Sequence, residues 1–394
     1  MERIAQCARK MLTCQLLPFW QALRDKEHGG YYGYMDFDLR LDKQAEKGCI
    51  LNSRILWFFS EAAMITGDQS HIPYARHAYD FLRERCLDRE QGGVYWSVSY
   101  DGQPLDDTKH TYNQAFAIYA LAAYYRLTGE TEALTLAKEL FDTIEARCTD
   151  ADGYLEAFTR DFRPASNEKL SENGVMAERT MNTLLHVFEG YAGLYQAKKI
   201  PAVAAAMRRI LEIYADKVYN PRLRRQEVFF DSDYHTLIDL TSYGHDIESS
   251  WLIDWGCGLL GDEALAEKTA AINSALTDSV LKAAFDGESL VNECERGVVD
   301  AHRVWWVQAE ALLGFVNEFI KHPERTDCRD AAASLWRYIH EKVVDHRPGG
   351  EWFWRLEADG TPDREKPAVE PWKCPYHNGR MCMELIRRDP NVFV

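Results

Sequence analysis

No window of the chain reaches eighteen apolar residues, so nothing in it reads as a membrane span. The first twenty residues, MERIAQCARKMLTCQLLPFW, scatter their charges and hold no apolar core, so no export signal is expected. No CxxC pair occurs among the ten cysteines at 7, 14, 49, 86, 148, 257, 294, 328, 374 and 382. They do not cluster, and they read as free thiols of a reducing compartment, with a cytoplasmic location expected. No Lys/Arg-rich stripe interrupts a formal net charge of −16. Such a chain repels phosphate backbones and anionic bilayers, so neither nucleic acid nor membrane is an expected partner. A P-loop is missing, and so is a GxGxxG after a strand, which argues against a nucleotide cofactor. HExxH and GxSxG are missing too, which argues against those zinc and serine-hydrolase chemistries.

What is there is long and apolar. The chain has 394 residues, 46% of them hydrophobic, enough for a large core. It carries 11 Trp and 20 Tyr. Aromatic faces stack on sugar rings, and their N–H and O–H groups bond sugar hydroxyls. A core of large side chains explains the same composition.

A punctuation recurs about every 60 residues. Gly29-Gly30 precedes Tyr31-Tyr32, Gly92-Gly93 precedes Val94-Tyr95-Trp96, and Asp152-Gly153 precedes Tyr154-Leu155. Asp286-Gly287 precedes Leu290-Val291, and Gly349-Gly350 precedes Trp352-Phe353-Trp354. Val228-Phe229-Phe230 is taken as the sixth member, without glycines. Each reads as a turn followed by a short β-rich run. Helical pairs fill the intervals: 48–66 with 70–86, 110–128 with 131–147, 176–198 with 201–218, 244–260 with 263–283, and 302–321 with 326–344. Gly67, Gly129 and Gly261 stand where a helix C-terminus wants them. A first helix near 3–25 and a last near 376–388 bring the count to twelve.

Six helical hairpins of this size close into an (α/α)6 barrel of one domain, 1–394. It is all-α, with six inner and six outer helices and short β-hairpins in the loops at one rim. Inner helices should be apolar nearly all round, as Ile55-Leu56-Trp57-Phe58-Phe59 is. An open solenoid is the alternative, but it needs polar capping helices at both ends. The last helix instead carries His377 and several apolar residues.

Polar residues collect at the starts of the inner helices. They are Asn52 and Arg54; His110, Tyr112 and Asn113; Asn182 and His186; His245, Asp246 and Glu248; Arg303, Trp305, Trp306 and Glu310; Tyr376, His377, Asn378 and Arg380 after Trp372. Helices starting at one rim would bring them to one mouth. Spacings of three or four residues put Asn182 with His186, His245 with Glu248, and Trp306 with Glu310 on shared faces. A Glu one turn below a His can hold its tautomer. Each residue also has an ordinary explanation. A lone His on an apolar helix is more often a satisfied core residue. Arg54 can be half of a structural ion pair with Glu310. Asp246 or His110 can be helix caps. His245, Asp246 and Glu248 with His377 are a conceivable metal set, but no second pair has tight ligand spacing, so no metal is expected.

Taken together, Ser53-Arg54-Ile55-Leu56-Trp57, Lys109-His110-Thr111-Tyr112-Asn113, Ser242-Tyr243-Gly244-His245-Asp246-Ile247-Glu248, Arg303-Val304-Trp305-Trp306-Val307-Gln308-Ala309-Glu310 and Pro371-Trp372-Lys373-Cys374-Pro375-Tyr376-His377-Asn378-Gly379-Arg380 resemble the motifs of cellobiose 2-epimerases, in the N-acylglucosamine 2-epimerase superfamily. The resemblance covers nearly the whole chain. It implies an (α/α)6 barrel, no cofactor, and reversible epimerisation at C2 of the reducing-end sugar of a β-1,4-linked disaccharide. It implies that His245 and His377 are the acid/base pair, that Arg54 binds the developing oxyanion, and that Glu248 orients the first histidine. Tyr112, Asn113, Asn182, His186, Trp251, Trp305, Trp306, Glu310 and Trp372 become the expected substrate contacts. The expected partner is a small disaccharide, bound by a monomer or a homodimer. Rival readings are an epimerase of monosaccharides such as mannose or N-acylglucosamine, an inverting glycoside hydrolase using Glu248 and Glu310, and a sugar-binding barrel without catalysis.

Overall fold

The computed structural model describes residues 2–171 and 173–394. Twelve helices lie among the described residues, in outer–inner alternation. The outer ones are α1 (4–22), α3 (72–86), α5 (Thr131–Arg147), α7 (201–218), α9 (Glu263–Ala283) and α11 (326–343). The inner ones are α2 (Cys49–Thr66), α4 (Thr111–Thr128), α6 (Met181–Ala197), α8 (Tyr243–Leu260), α10 (Trp305–Lys321) and α12 (His377–Arg388).

The two sets differ as their side chains require. In α2 every residue from Cys49 to Ala63 is buried, because this helix is covered on both sides. In α5 the buried residues are Ala133, Leu136, Ala137, Leu140, Phe141 and Ile144, a single stripe at helical spacing. Gly67, Gly129 and Gly261 end α2, α4 and α8 in left-handed conformation, at φ 72°, 74° and 66°. Each donates its N–H back into the last turn.

The inner helices form a closed ring. α2 packs on α4, α4 on α6, α6 on α8, α8 on α10, α10 on α12, and α12 back on α2. Closure removes the open solenoid. Short antiparallel pairs zip neighbouring repeats together just ahead of the inner helices: Lys47 with Val98, Lys109 with Phe158, Arg179 with Phe230, Thr241 with Cys294, and Arg303 with Leu356. A bridge between Met35 and Val369 links the last repeat to the first.

The repeated turn has a sharper signature than its glycines. A side-chain oxygen at the end of each outer helix accepts from backbone N–H groups two or three residues on. Its bearers are Asp25, Asp88, Asp150, Asn220, Asp286 and Asp345. This corrects the repeat without glycines, the fourth in chain order. Its turn is built on Asn220, between the paired residues Tyr219–Asn220 and Arg225–Gln226, and not at Val228-Phe229-Phe230. Phe229 and Phe230 instead pair with Arg179 and Thr180. No helix of the described residues is long and apolar enough to cross a membrane.

Candidate active site

All six inner helices begin at the same end of the ring, and a cavity of about 240 Å³ opens there. Its wall includes Arg54, Tyr112, Asn182, His186, His245, Glu248, Trp305, Trp306, Trp372 and His377. Ten of the thirteen expected site residues therefore meet. A wider groove of about 530 Å³ lies on the outside between α1 and α11. None of its lining residues holds a buried polar atom without a partner. The cavity wall holds four such atoms: Arg54 Nε, Asn182 Oδ1, Glu248 Oε2 and Trp305 Nε1. Leaving donors and acceptors unbonded inside a protein is unfavourable unless a polar ligand meets them.

The two histidines are held at Nδ1, which leaves Nε2 of each for the cavity. His377 Nδ1 lies 2.8 Å from Glu310 Oε1. His245 Nδ1 lies 2.7 Å from Ser242 Oγ. Trp306 stands between them, its ring 4.7 Å from His245 and 5.4 Å from His377. Gly244 makes room for that indole, since a Cβ there would stand 2.4 Å from the ring. Burial pushes the His245 imidazole down to about 3. Burial, then the charges of Arg380 and Arg54, push His377 well below its ordinary value. Both are therefore neutral bases at rest.

Under the cavity one guanidinium gathers three carboxylates. Arg380 bonds Glu189 at 2.5 Å, Glu310 at 2.8 Å, and Glu248. Glu189 also takes bonds from Tyr376 and, at 2.9 Å, from His186 Nδ1. Burial alone would raise Glu189, but Arg380 and His186 outweigh it and bring the carboxyl down to about 2. Glu248 goes the other way. Burial, then the neighbouring Glu310, push it up to about 7. A carboxyl that titrates near neutrality and has one free oxygen facing a cavity is suited to proton transfer. Ligand atoms of Glu248, Glu310 and His377 lie within 4.8 Å of one another, close enough for a cation. The positive charge already on Glu248 and Glu310 is Arg380.

Arg54 is 2% exposed and forms no ion pair among the described residues. It donates to the Tyr112 hydroxyl at 2.8 Å and lies 3.7 Å from Cys374 Sγ, with its guanidinium 4.1 Å from the Phe116 ring centre. No carboxylate among the described residues pairs with it, an arrangement suited to a group that meets an anionic transition state.

Several expectations need correction. Glu248 does not orient His245. Its bonded partner is Arg380, and its nearest imidazoles are His377 at 3.9 Å and His186 at 4.0 Å. The turn of helix that separates Glu248 from His245 sends it down to the floor, where α12 supplies the cation. Glu310 is not in the cavity wall; it stands behind His377. Trp251 stands behind Glu310, to which its Nε1 donates at 3.0 Å. Asn113 is fully buried and donates to the Tyr95 carbonyl at 2.7 Å. No Arg54–Glu310 pair forms. Asp246 faces away from the cavity, accepting from Gln226 N and Nε2, so it joins no metal set with His245. His110 caps nothing; it packs on Trp96 at 4.7 Å, outside the cavity wall.

Sequence reasoning missed Ser242, Glu189 and the part played by Arg380. Glu189 had a signal: a carboxylate three residues after His186 on an otherwise apolar inner helix. The outer wall, with Asn173, Asn292, Asp300, Trp354 and Arg355, comes from loops and the short strands within them and had none.

The model of N-acylglucosamine 2-epimerase (GlcNAc 2-epimerase) matches residues 30–378. The chain belongs to the N-acylglucosamine 2-epimerase family. A cellobiose 2-epimerase of Eubacterium cellulosolvens is 54% identical, over 96% of this chain and 97% of that one. The crystal structure of a sugar epimerase from a ruminal bacterium superposes with a TM-score of 0.97 at 46% identity, covering 99% of this chain and 100% of that one. A D-mannose isomerase superposes with a TM-score of 0.83 at 19% identity, over 98% and 97%, and so shares the fold.

Proposed function

We propose that this family member inverts C2 of the reducing-end sugar in β-1,4-linked disaccharides, turning cellobiose into glucosyl-mannose and lactose into epilactose. The observation that carries the reading is the pair of neutral imidazoles, each braced at Nδ1 and free at Nε2, in one cavity with an arginine that has no counter-ion among the described residues. The full-length likeness to cellobiose 2-epimerases supports the disaccharide.

The pyranose opens first to the aldehyde. Glu248, titrating near neutrality, carries the proton between the anomeric hydroxyl and the ring oxygen. One histidine then takes the C2 proton on Nε2. The C2–H electrons form the C1–C2 double bond, and the carbonyl π pair moves to oxygen, giving an enediolate. Arg54 meets that oxygen, with the hydroxyl of Tyr112 held beside it. The other histidine, having taken a proton on Nε2 from solvent, delivers it to the opposite face of C2, and the first later gives its proton up to solvent. His186, Asn182, Trp305, Trp306 and Trp372 hold the sugars. An inverting hydrolase is disfavoured, because it needs two separated carboxylates flanking the bond. Here Glu248 and Glu310 share one guanidinium, and Glu310 sits behind His377. We also place the enzyme in the cytoplasm as a monomer. Its ten cysteines are free thiols, and one chain completes the cavity.

The test is proton NMR of cellobiose with the enzyme in heavy water. Deuterium should appear at C2 of both cellobiose and glucosyl-mannose. Release of free glucose, or no exchange at C2, would overturn the reading.

A further inference from the structure

The two imidazoles are braced by different chemistry. A carboxylate can only accept, so Glu310 fixes the proton of neutral His377 on Nδ1 and its lone pair on Nε2. A serine hydroxyl can give or take, so Ser242 accommodates either tautomer of His245.

Ser242 has been diverted from its usual task. It is the N-cap residue of α8, where a serine ordinarily accepts from a backbone N–H two or three residues on. Its side chain makes no capping bond. Thr180, at the equivalent position of α6, does cap, accepting from Thr183 N at 3.0 Å. Forgoing a cap sacrifices helix stability. The hydroxyl goes instead to His245 Nδ1 at 2.7 Å, at the cavity wall. Its backbone is fixed, because Ser242 is paired with Glu293 in a three-stranded ladder.

We propose that Ser242 is the positioning residue of His245: its hydroxyl aims Nε2 at C2 and keeps this imidazole free to change tautomer, while Glu310 locks its counterpart. The proposal rests on the two-histidine reading above. It predicts a directional defect. Proton transfers through His245 slow when the hydroxyl is lost, and transfers through His377 do not.

The experiment compares Ser242→Ala and Ser242→Thr with wild type, using gluco and manno substrates deuterated at C2. Ser242→Ala should lower kcat about 10- to 100-fold with KM within about twofold, the scale of a misplaced reacting group. Ser242→Thr keeps the hydroxyl and should recover to within about threefold. In Ser242→Ala the substrate isotope effect should rise for the epimer whose proton His245 takes. It should fall for the other epimer, where return of a proton becomes limiting. Near-normal turnover of Ser242→Ala, equal losses in both variants, or isotope effects unchanged in both directions would overturn the proposal. If Ser242→Ala does not fold, the isotope effects of Ser242→Thr decide, since a shifted hydroxyl should still move them in opposite senses. Wild-type enzyme that exchanges nothing at C2 would instead bring down the two-histidine reading.

Discussion

Buried charge is used in two ways in this barrel. Ahead of the inner helices, cations tie one repeat to the turn of another, five of them through a carboxylate. Lys47 meets Asp25 at 2.6 Å, Lys109 meets Asp88 at 3.2 Å, Arg179 meets Asp150 at 2.5 Å, Arg303 meets Asp286 at 2.7 Å, and Lys373 meets Glu351 at 2.5 Å. In the fourth repeat Arg225 reaches the Thr241 hydroxyl at 2.9 Å. Arg54, at the cavity, is just as deeply buried and has no carboxylate among the described residues. The first set holds the ring together. The second is a charge left without a carboxylate among the described residues, and the contrast in partners, not in burial, separates scaffold from site.

The largest effect tests the site side of that contrast. His245→Ala and His377→Ala should each cut epimerisation by about 10⁴-fold, the upper range for general acid–base catalysis, and leave the melting temperature within a few degrees of wild type. Near-normal turnover by either variant would refute the two-base scheme.

Next comes the scaffold side. Lys47→Met leaves Asp25 buried with its backbone donors but without its cation. Breaking a buried pair from one side costs about 3–5 kcal/mol, so the urea midpoint should fall sharply. The kcat of the enzyme that remains folded should be unchanged. A midpoint equal to wild type would mean the ties do not hold the repeats.

Arg54→Met makes the same kind of change on the other side and should do the reverse. Activity should fall about 10²- to 10³-fold, as when one oxyanion donor is removed. Stability should stay level or rise, because a desolvated charge with no described carboxylate beside it is gone. Destabilisation as large as that of Lys47→Met would make Arg54 a structural residue.

This contrast also marks how far the sequence could be read. The ring was legible because its determinants are local. Gly67, Gly129 and Gly261 cap helices, apolar runs such as Ile55–Phe59 need cover on every side, and the turns recur. The mouth was legible for the same reason: polar residues at six helix starts must converge once the helices are parallel. The partners were not legible. His245 and Glu248 share a helix face, yet Arg380, from another helix, draws Glu248 away, and Ser242, three residues upstream, takes its place. Spacing along one helix says which residues are neighbours. It does not say which groups other helices will offer them. Glu310 and Trp251 were read as sugar contacts because nothing along α8 or α10 tells the wall of the cavity from the layer behind it.

The smallest effect concerns a buried carboxyl that belongs to neither set. Asp246 has no cation bonded to it, accepts only from Gln226, and has its second oxygen unbonded. Burial pushes it up to about 7, against 3.8 for an ordinary aspartate. It therefore binds its proton more tightly folded than unfolded. The stability this gives is complete below about pH 4 and is lost as pH rises through 7. Between pH 6 and 7 the loss from this one group is about 1 kcal/mol. Glu156 and Glu248, also buried and pushed up to about 7, add to the same slope. Asp246→Asn should remove its own share, so the fall in urea midpoint from pH 6 to pH 7 should be shallower than in wild type. The kcat should be retained, because Asp246 faces away from the cavity. An identical fall in both proteins would mean that Asp246 is already ionised at pH 6, and that an uncompensated buried charge is tolerated outside the site as well as within it.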